Sequence, residues 1–215
     1  MLFRSVPGVL PGRVVVIGGG VSGINAARMA TGVGSDITIL EVDLERMRFL
    51  DITLHTAHTL YSNEAHLMEL LPNVDLLIGA VLVPGAKAPT LVSHDLVSRM
   101  RPGSVLVDIA IDQGGCFADS RPTTHADPTF TVGNSVFYCV ANMPGAVPHT
   151  STYALTNVTL PYAVELADRG WQAALRRDHA LSLGLNAHEG VITNAAVAQA
   201  HGYSSVAVAD ADVLA

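Results

Sequence analysis

Val14-Val-Val-Ile17 runs straight into Gly18-Gly-Gly20-Val-Ser-Gly23, and the next apolar run ends on Glu41. β-branched residues, a glycine corner, an alanine-rich stretch and a second apolar run closed by an acid read as strand, turn, helix, strand, carboxylate. That is the pattern of a dinucleotide-binding unit, and each position has a physical reason. Gly18 permits the tight turn out of the strand. Gly20 removes a Cβ where the backbone must approach a pyrophosphate. Gly23 lets the helix that begins near Val21 pack closely on the sheet. The pyrophosphate would rest on the unpaired N–H groups and positive dipole end of that helix.

Outward from this unit, short β-branched runs alternate with helical patterns, which calls for a parallel sheet covered on both faces. Six strands are expected, at residues 14–17, 37–40, 56–60, 75–79, 104–108 and 136–140, with helices near 21–31, 44–52, 64–71 and 92–100. The fold class is therefore α/β, a doubly wound Rossmann-type sheet in the order 3-2-1-4-5-6. Polar Thr and His residues in the third strand suit an edge. After Asn142-Met-Pro-Gly145 the character changes to a mostly apolar helix over 150–166, interrupted near Pro161, followed by helices near 171–176 and 194–200. These elements exceed what the sheet requires. The expected division is a nucleotide-binding domain over 1–145, with 1–12 as lead-in, and a helical segment over 146–215 that packs on a second domain or another subunit. Its tail, 204–215, is expected to be loosely ordered.

Composition narrows the function classes. A chain of 215 residues, 49% apolar and 14% charged, is long enough to bury a real core. A net charge of −7 without a basic cluster argues against nucleic acid or an anionic membrane as partner. Two cysteines, Cys116 and Cys139, are too few for a disulfide scaffold and suit a reducing compartment. No apolar run reaches membrane-spanning length, and Met1-Leu-Phe-Arg4, with prolines and glycines close behind, makes no secretory signal. A cytoplasmic protein is expected.

Glu41 sits where a carboxylate accepts hydrogen bonds from the adenosine-ribose hydroxyls and repels a 2′-phosphate, which favours NAD over NADP. Arg46, a turn further on, could reach inward. In open parallel sheets ligands lie across the carboxyl ends of the strands. The residues past those ends are Ser62, the apolar lip 80–89, the stretch 108–115 and 141–145. Asp112 is the best chemical candidate among them, a carboxylate at the edge of a partly apolar crevice suited to relaying a proton. Asp108 competes, but could simply bind backbone N–H groups. Lys87 could meet a substrate carboxylate, although a surface lysine between prolines is the plainer reading. His55 and His58 lack the further ligands of a metal site, and none is expected. Cys116 has no histidine base placed near it by local sequence, so a thiol nucleophile is not favoured.

Longer motifs carry a resemblance. Ile78-Gly-Ala-Val-Leu-Val-Pro-Gly-Ala-Lys-Ala-Pro89, Val105-Leu-Val-Asp-Ile-Ala-Ile-Asp-Gln-Gly-Gly-Cys-Phe117 and Ser120-Arg-Pro-Thr-Thr124 closely resemble the L-alanine dehydrogenase family. So do Tyr138-Cys-Val-Ala-Asn-Met-Pro144, Thr150-Ser-Thr-Tyr-Ala-Leu155 and His188-Glu-Gly190. The sister family, nicotinamide nucleotide transhydrogenase, typically carries Glu-Asn-Gly-Gly where this chain reads Asp112-Gln-Gly-Gly115. The resemblance implies NAD-dependent, reversible oxidative deamination of L-alanine to pyruvate and ammonium. By motif match, Gly18, Gly20, Val21, Ser22 and Glu41 would hold the adenosine and pyrophosphate. Ser62, Val81, Leu82, Ile109 and Met143 would line the adenine and nicotinamide positions, with Asn142 close to the reacting ring. Asp112 would match the catalytic aspartate. Family members carry a further amino-terminal substrate domain, so this chain is expected to be inactive or weak alone. It would then work as a homo-oligomer, a hexamer in the family, or with a separate amino-terminal fragment. Glu41 departs from the aspartate usual at its position. A non-catalytic NAD-binding or oligomerisation module, and a transhydrogenase subunit, are the alternatives.

Overall fold

Val14, Val15, Val16 and Ile17 are all buried, because the strand they form is covered on both faces and cannot alternate apolar with polar residues. A computed structural model describes residues 7–83 and 87–208. The first six residues, Pro84, Gly85 and Ala86 of the apolar lip, and the last seven residues of the tail lie outside the described residues.

The chain divides into two compact units at Met143/Pro144. In the first, β1 (Arg13–Ile17), α1 (Val21–Gly32), β2 (Asp36–Glu41), α2 (Leu44–Thr53), β3 (Ala57–Tyr61), α3 (Glu64–Leu70) and β4 (Leu76–Gly79) are followed by α4 (His94–Ser98) and β5 (Val105–Asp108). A hairpin, β6 (Thr129–Val132) and β7 (Ser135–Tyr138), completes the sheet. The strand order is β3-β2-β1-β4-β5-β7-β6. The first five strands and β7 run parallel, and β6 pairs antiparallel with β7. The α/β doubly wound class holds, with β3 at one edge. To the six strands expected the structure adds a seventh, the antiparallel β6. Gly133-Asn134 forms a two-residue hairpin turn, with Gly133 at φ +57, and returns the chain alongside β7.

Side chains that alternate along β1 build two cores. Val14 and Val16 meet Ile24 and Ala27 of α1 and Leu50 of α2 on one face. Val15 and Ile17 belong to the other, with Leu67 of α3, Leu96 and Val97 of α4, Leu106 and Phe137. Phe137 stacks on Phe130 at 5.2 Å between ring centres and meets Phe117 edge-on at 6.3 Å. Side chains cap the helices: Asp43 accepts the Glu45 and Arg46 N–H groups, Asn63 that of His66, and Ser93 that of Leu96.

Register places the site. Ile17 lies beside Leu40 and Gly79, and Gly79 beside Asp108, so β1, β4 and β5 end level and β2 runs one residue further, to Glu41. The order reverses at β1, between β2 and β4, and a crevice opens at such a switch point.

The second unit contains α5 (Pro148–Arg169), α6 (Trp171–Arg177), α7 (His179–Leu183), a short hairpin of β8 (Ala187–His188) and β9 (Val191–Ile192), and α8 (Ala195–His201). The break expected near Pro161 does not occur; α5 runs through it. A single proline withholds one N–H, and the long helix on either side carries that loss. None of the 22 residues of α5 is buried. Among the described residues, no helix is long and apolar enough to cross a membrane.

Candidate dinucleotide site

The glycine corner behaves as its positions demand. Gly18 has φ +95, and a Cβ there would come within 2.7 Å of the Ala80 carbonyl oxygen. A Cβ on Gly23 would sit 1.8 Å from the Gly18 carbonyl oxygen, so only glycine lets α1 start against the end of β1. Gly20 is the opposite case. Nothing lies within 4 Å of where its Cβ would be. It stands at the N-cap of α1 without a side-chain hydrogen bond, and the first intrahelical bond is donated by Ile24 to the Gly20 carbonyl. The opening N–H groups of a twelve-residue helix therefore face open space.

That space is a crevice of about 580 Å³ lined by Gly18, Gly20, Val21, Ser22, Glu41, Ser62, Val81 and Leu82 among others. A hollow of about 210 Å³ shares Ser22, Val81 and Leu82 with it and adds Ile109, Asp112 and Gln113. Of the residues singled out from sequence, these line one continuous surface along the strand ends. Gly23 and Arg46 do not line it; they build it. The Arg46 guanidinium donates to the Gly19 carbonyl at 2.6 Å and to that of Gly20 at 3.4 Å, and lies 4.7 Å over the Phe49 ring. It clamps the corner from behind instead of reaching inward. Asn142 and Met143 line neither hollow. Asn142, at φ +54, donates its N–H to Asp112 Oδ1 at 3.2 Å, and its carbonyl is 3.1 Å from His125 Nε2.

Glu41 is held by three backbone N–H groups: Gly19 on Oε2 at 2.8 Å, and Val42 and Asp43 on Oε1 at 2.7 and 3.1 Å. A carboxylate offers about four acceptor directions, which leaves room for a sugar hydroxyl on Oε2. Ser62 is tied alongside by its N–H to the Glu41 carbonyl.

Asp108 does bind backbone N–H groups, as the competing reading supposed. It is fully buried, and accepts from Ala110, Cys116 and Phe117 N–H and from the Ser120 hydroxyl at 2.5 Å. Burial first, and the charge of Asp108 second, push the Cys116 thiol far above its ordinary range, which leaves it unreactive as a nucleophile. The stem of Lys87 packs over Gly114, where a Cβ would meet its Cε at 2.8 Å. Among the described residues no group of His, Cys, Asp and Glu is arranged to hold a metal.

Residues 1–195 match the family model of the alanine dehydrogenase/PNT C-terminal domain. The chain belongs to the alanine dehydrogenase/PNT family. It is 56% identical over 200 residues to an alanine dehydrogenase of Mycolicibacterium smegmatis, a match covering 93% of this chain and 54% of that relative. A solved L-alanine dehydrogenase superposes with a TM-score of 0.84 at 49% identity, over 94% of this chain and 56% of the other. A transhydrogenase from Sinorhizobium meliloti gives 0.61 at 25% identity, over 67% and 41%. The chain thus spans about half the length of these alanine dehydrogenases.

Within this member of the alanine dehydrogenase/PNT family, Pro89 of the expected lip lines the crevice and Ala110 and Gln113 of the expected stretch 108–115 line the hollow, while Val42 and Leu91 in the crevice were not among the candidates. Gln113 is the informative one, placed in that stretch but given no role of its own. Its Oε1 is buried with no hydrogen-bond partner among the described residues. Its place directly after Asp112 was the available signal.

Proposed function

We propose that this chain is the NAD-binding part of an alanine dehydrogenase, working on L-alanine, pyruvate and ammonium together with the substrate-recognising part that its longer relatives carry. The observation that supports this most is the uncapped start of α1, opening onto a crevice that holds Glu41 and that adjoins the hollow holding Asp112. The residues present fit the dinucleotide. Gly20 leaves an open cradle for a diphosphate beside the Val21 and Ser22 N–H groups, and Glu41 takes a ribose hydroxyl. Val81, Leu82 and Ile109 give a flat ring apolar walls, and the orphaned Gln113 acceptor suits a carboxamide N–H. Bound NAD supplies the acceptor for the hydride leaving the alanine Cα.

The chain's own residues then orient and exclude water. Asp112, fixed by the Asn142 N–H, would hold or take the proton that moves as water adds at the substrate carbon. Asn142 and Met143 would close the ring end of the site. Residues 146–215 are read as belonging to the substrate domain, consistent with a 22-residue helix that buries nothing. A homo-oligomer and a cytoplasmic setting, in keeping with two free buried cysteines, complete the reading.

Titration with NADH, followed by its fluorescence, should give saturable binding, with NADPH clearly weaker. Alanine-dependent NADH formation should be slight for the chain alone and rise when the amino-terminal half of a relative is added. Failure to bind NADH at millimolar ligand by folded protein would remove the proposal.

A further inference from the structure

Asp108 occupies the last position of β5 and is fully buried, yet it touches neither the crevice nor the hollow. Its carboxylate gathers the loop that follows. One oxygen accepts the Ala110 N–H at 3.1 Å and lies 3.5 Å from the Cys116 thiol. The other takes the Cys116 N–H at 2.9 Å, the Phe117 N–H at 3.4 Å and the Ser120 hydroxyl at 2.5 Å. The loop leaves the carboxylate at residue 110 and returns to it at 116, with Asp112 on the arc between. Two left-handed glycines make that return, Gly114 at φ +92 and Gly115 at φ +77. A Cβ on Gly115 would be 2.8 Å from Asp108 Oδ2, so the chain closes onto the carboxylate as tightly as a backbone can.

The same carboxylate reaches the neighbouring loop. The Ser120 hydroxyl that donates to Asp108 lies 3.8 Å from the Cys139 thiol, just past the end of β7 and three residues before Asn142. Asn142 and Asp112 meet on the surface through the 3.2 Å hydrogen bond. The two loops at the ring end of the site are thus joined at the surface by Asp112 and Asn142 and underneath by Asp108, Ser120 and Cys139, and the chain beyond Ser120 bonds the second loop again through Thr123 and His125.

We propose that Asp108 is a positioning residue: holding the 109–120 loop and, through Ser120, the chain leading to Asn142, it sets Asp112 at the nicotinamide end of the crevice. This rests on the NAD reading above. It assigns Asp108 no contact with ligand; the residue acts by fixing where Asp112, Ile109 and Gln113 stand. The adenosine end is built by the glycine corner and Glu41, which Asp108 does not touch. Disturbing Asp108 should therefore affect one end of the ligand only.

The test compares NADH with ADP-ribose, which keeps the adenosine and diphosphate but has no nicotinamide, on the full chain. For Asp108→Asn, NADH binding should weaken about tenfold or more while ADP-ribose changes by less than about threefold, and the fluorescence enhancement of bound NADH should be lost. Ser120→Ala removes one arm while leaving the backbone donors in place. It should shift the same ratio in the same direction by a smaller factor, and it carries the test if Asp108→Asn does not fold. Equal weakening of both ligands, or no change in either, in the variants that fold would overturn the positioning role while leaving the NAD reading intact. A wild-type chain that binds ADP-ribose and NADH not at all would overturn both.

Discussion

Two glycines three residues apart do opposite things, and substituting each separates folding from binding. An alanine at Gly23 would push its Cβ to 1.8 Å from the Gly18 carbonyl oxygen, so α1 must move off the sheet. Gly23→Ala is expected to lower unfolding free energy by roughly 1–3 kcal/mol in urea titration and to weaken NADH binding as well. Gly20→Ala meets nothing and has φ −64, so its stability should stay within about 0.5 kcal/mol of wild type while NADH affinity falls, because the methyl occupies the cradle. Unchanged NADH affinity in Gly20→Ala would contradict the cradle. The Cys116 thiol gives a pH prediction. Its folded pKa is raised above the ordinary 9.0, mainly by burial and then by Asp108. As pH rises the unfolded chain loses this proton first, so the group's contribution is intact below 9.0 and is lost above it. Cys139 is raised too, again first by burial, and adds in the same direction. Urea midpoints should fall between about pH 8 and pH 10, and Cys116→Ala should flatten that fall. The roles of Gly18, Gly20 and Gly23 were legible because each follows from local chain geometry. The Glu41–Gly19 hydrogen bond and the Arg46 clamp were not, since they join residues 22 and 27 positions apart and exist only once the sheet has formed.

At the scale of elements, the central strands were legible from continuous apolar runs, and β3 was legible as an edge from its polar residues. β6 was overlooked although Thr129-Phe-Thr-Val132 alternates and Gly133-Asn134 is a hairpin signal; a parallel expectation masked it. α5 was read as broken because proline usually ends helices, yet a tolerated proline cannot be told from a breaking one by sequence. That helix exposes Leu155, Val158, Leu160 and Tyr162 by 42–62%. Replacing Leu155 and Leu160 together by glutamate should change the thermal midpoint little, because no packed contact is lost, and should reduce dye binding to exposed apolar surface. A drop in midpoint of ten degrees would mean that these leucines are packed in the free chain.

For the whole molecule, charge governs approach. A chain of net charge −7 repels an anionic dinucleotide at long range, while the N-terminus of α1 attracts it only within the crevice. Stopped-flow association of NADH should therefore quicken as salt rises from about 10 to 150 mM, where the screening length shortens from about 30 to 8 Å. A rate that falls with salt would point to a basic funnel not evident in the sequence. The two margins of the sheet bear on assembly. β3 at one end shows solvent His58 and Tyr61, and β6 at the other is four residues long, shows Thr129 and Thr131, and carries the Arg121 guanidinium 4.1 Å above Phe130. Brief, polar margins, the second also guarded by a cation, resist lateral growth. Strand-to-strand joining of copies through β3 or β6 is thereby disfavoured, and these two margins offer a poor template for fibres.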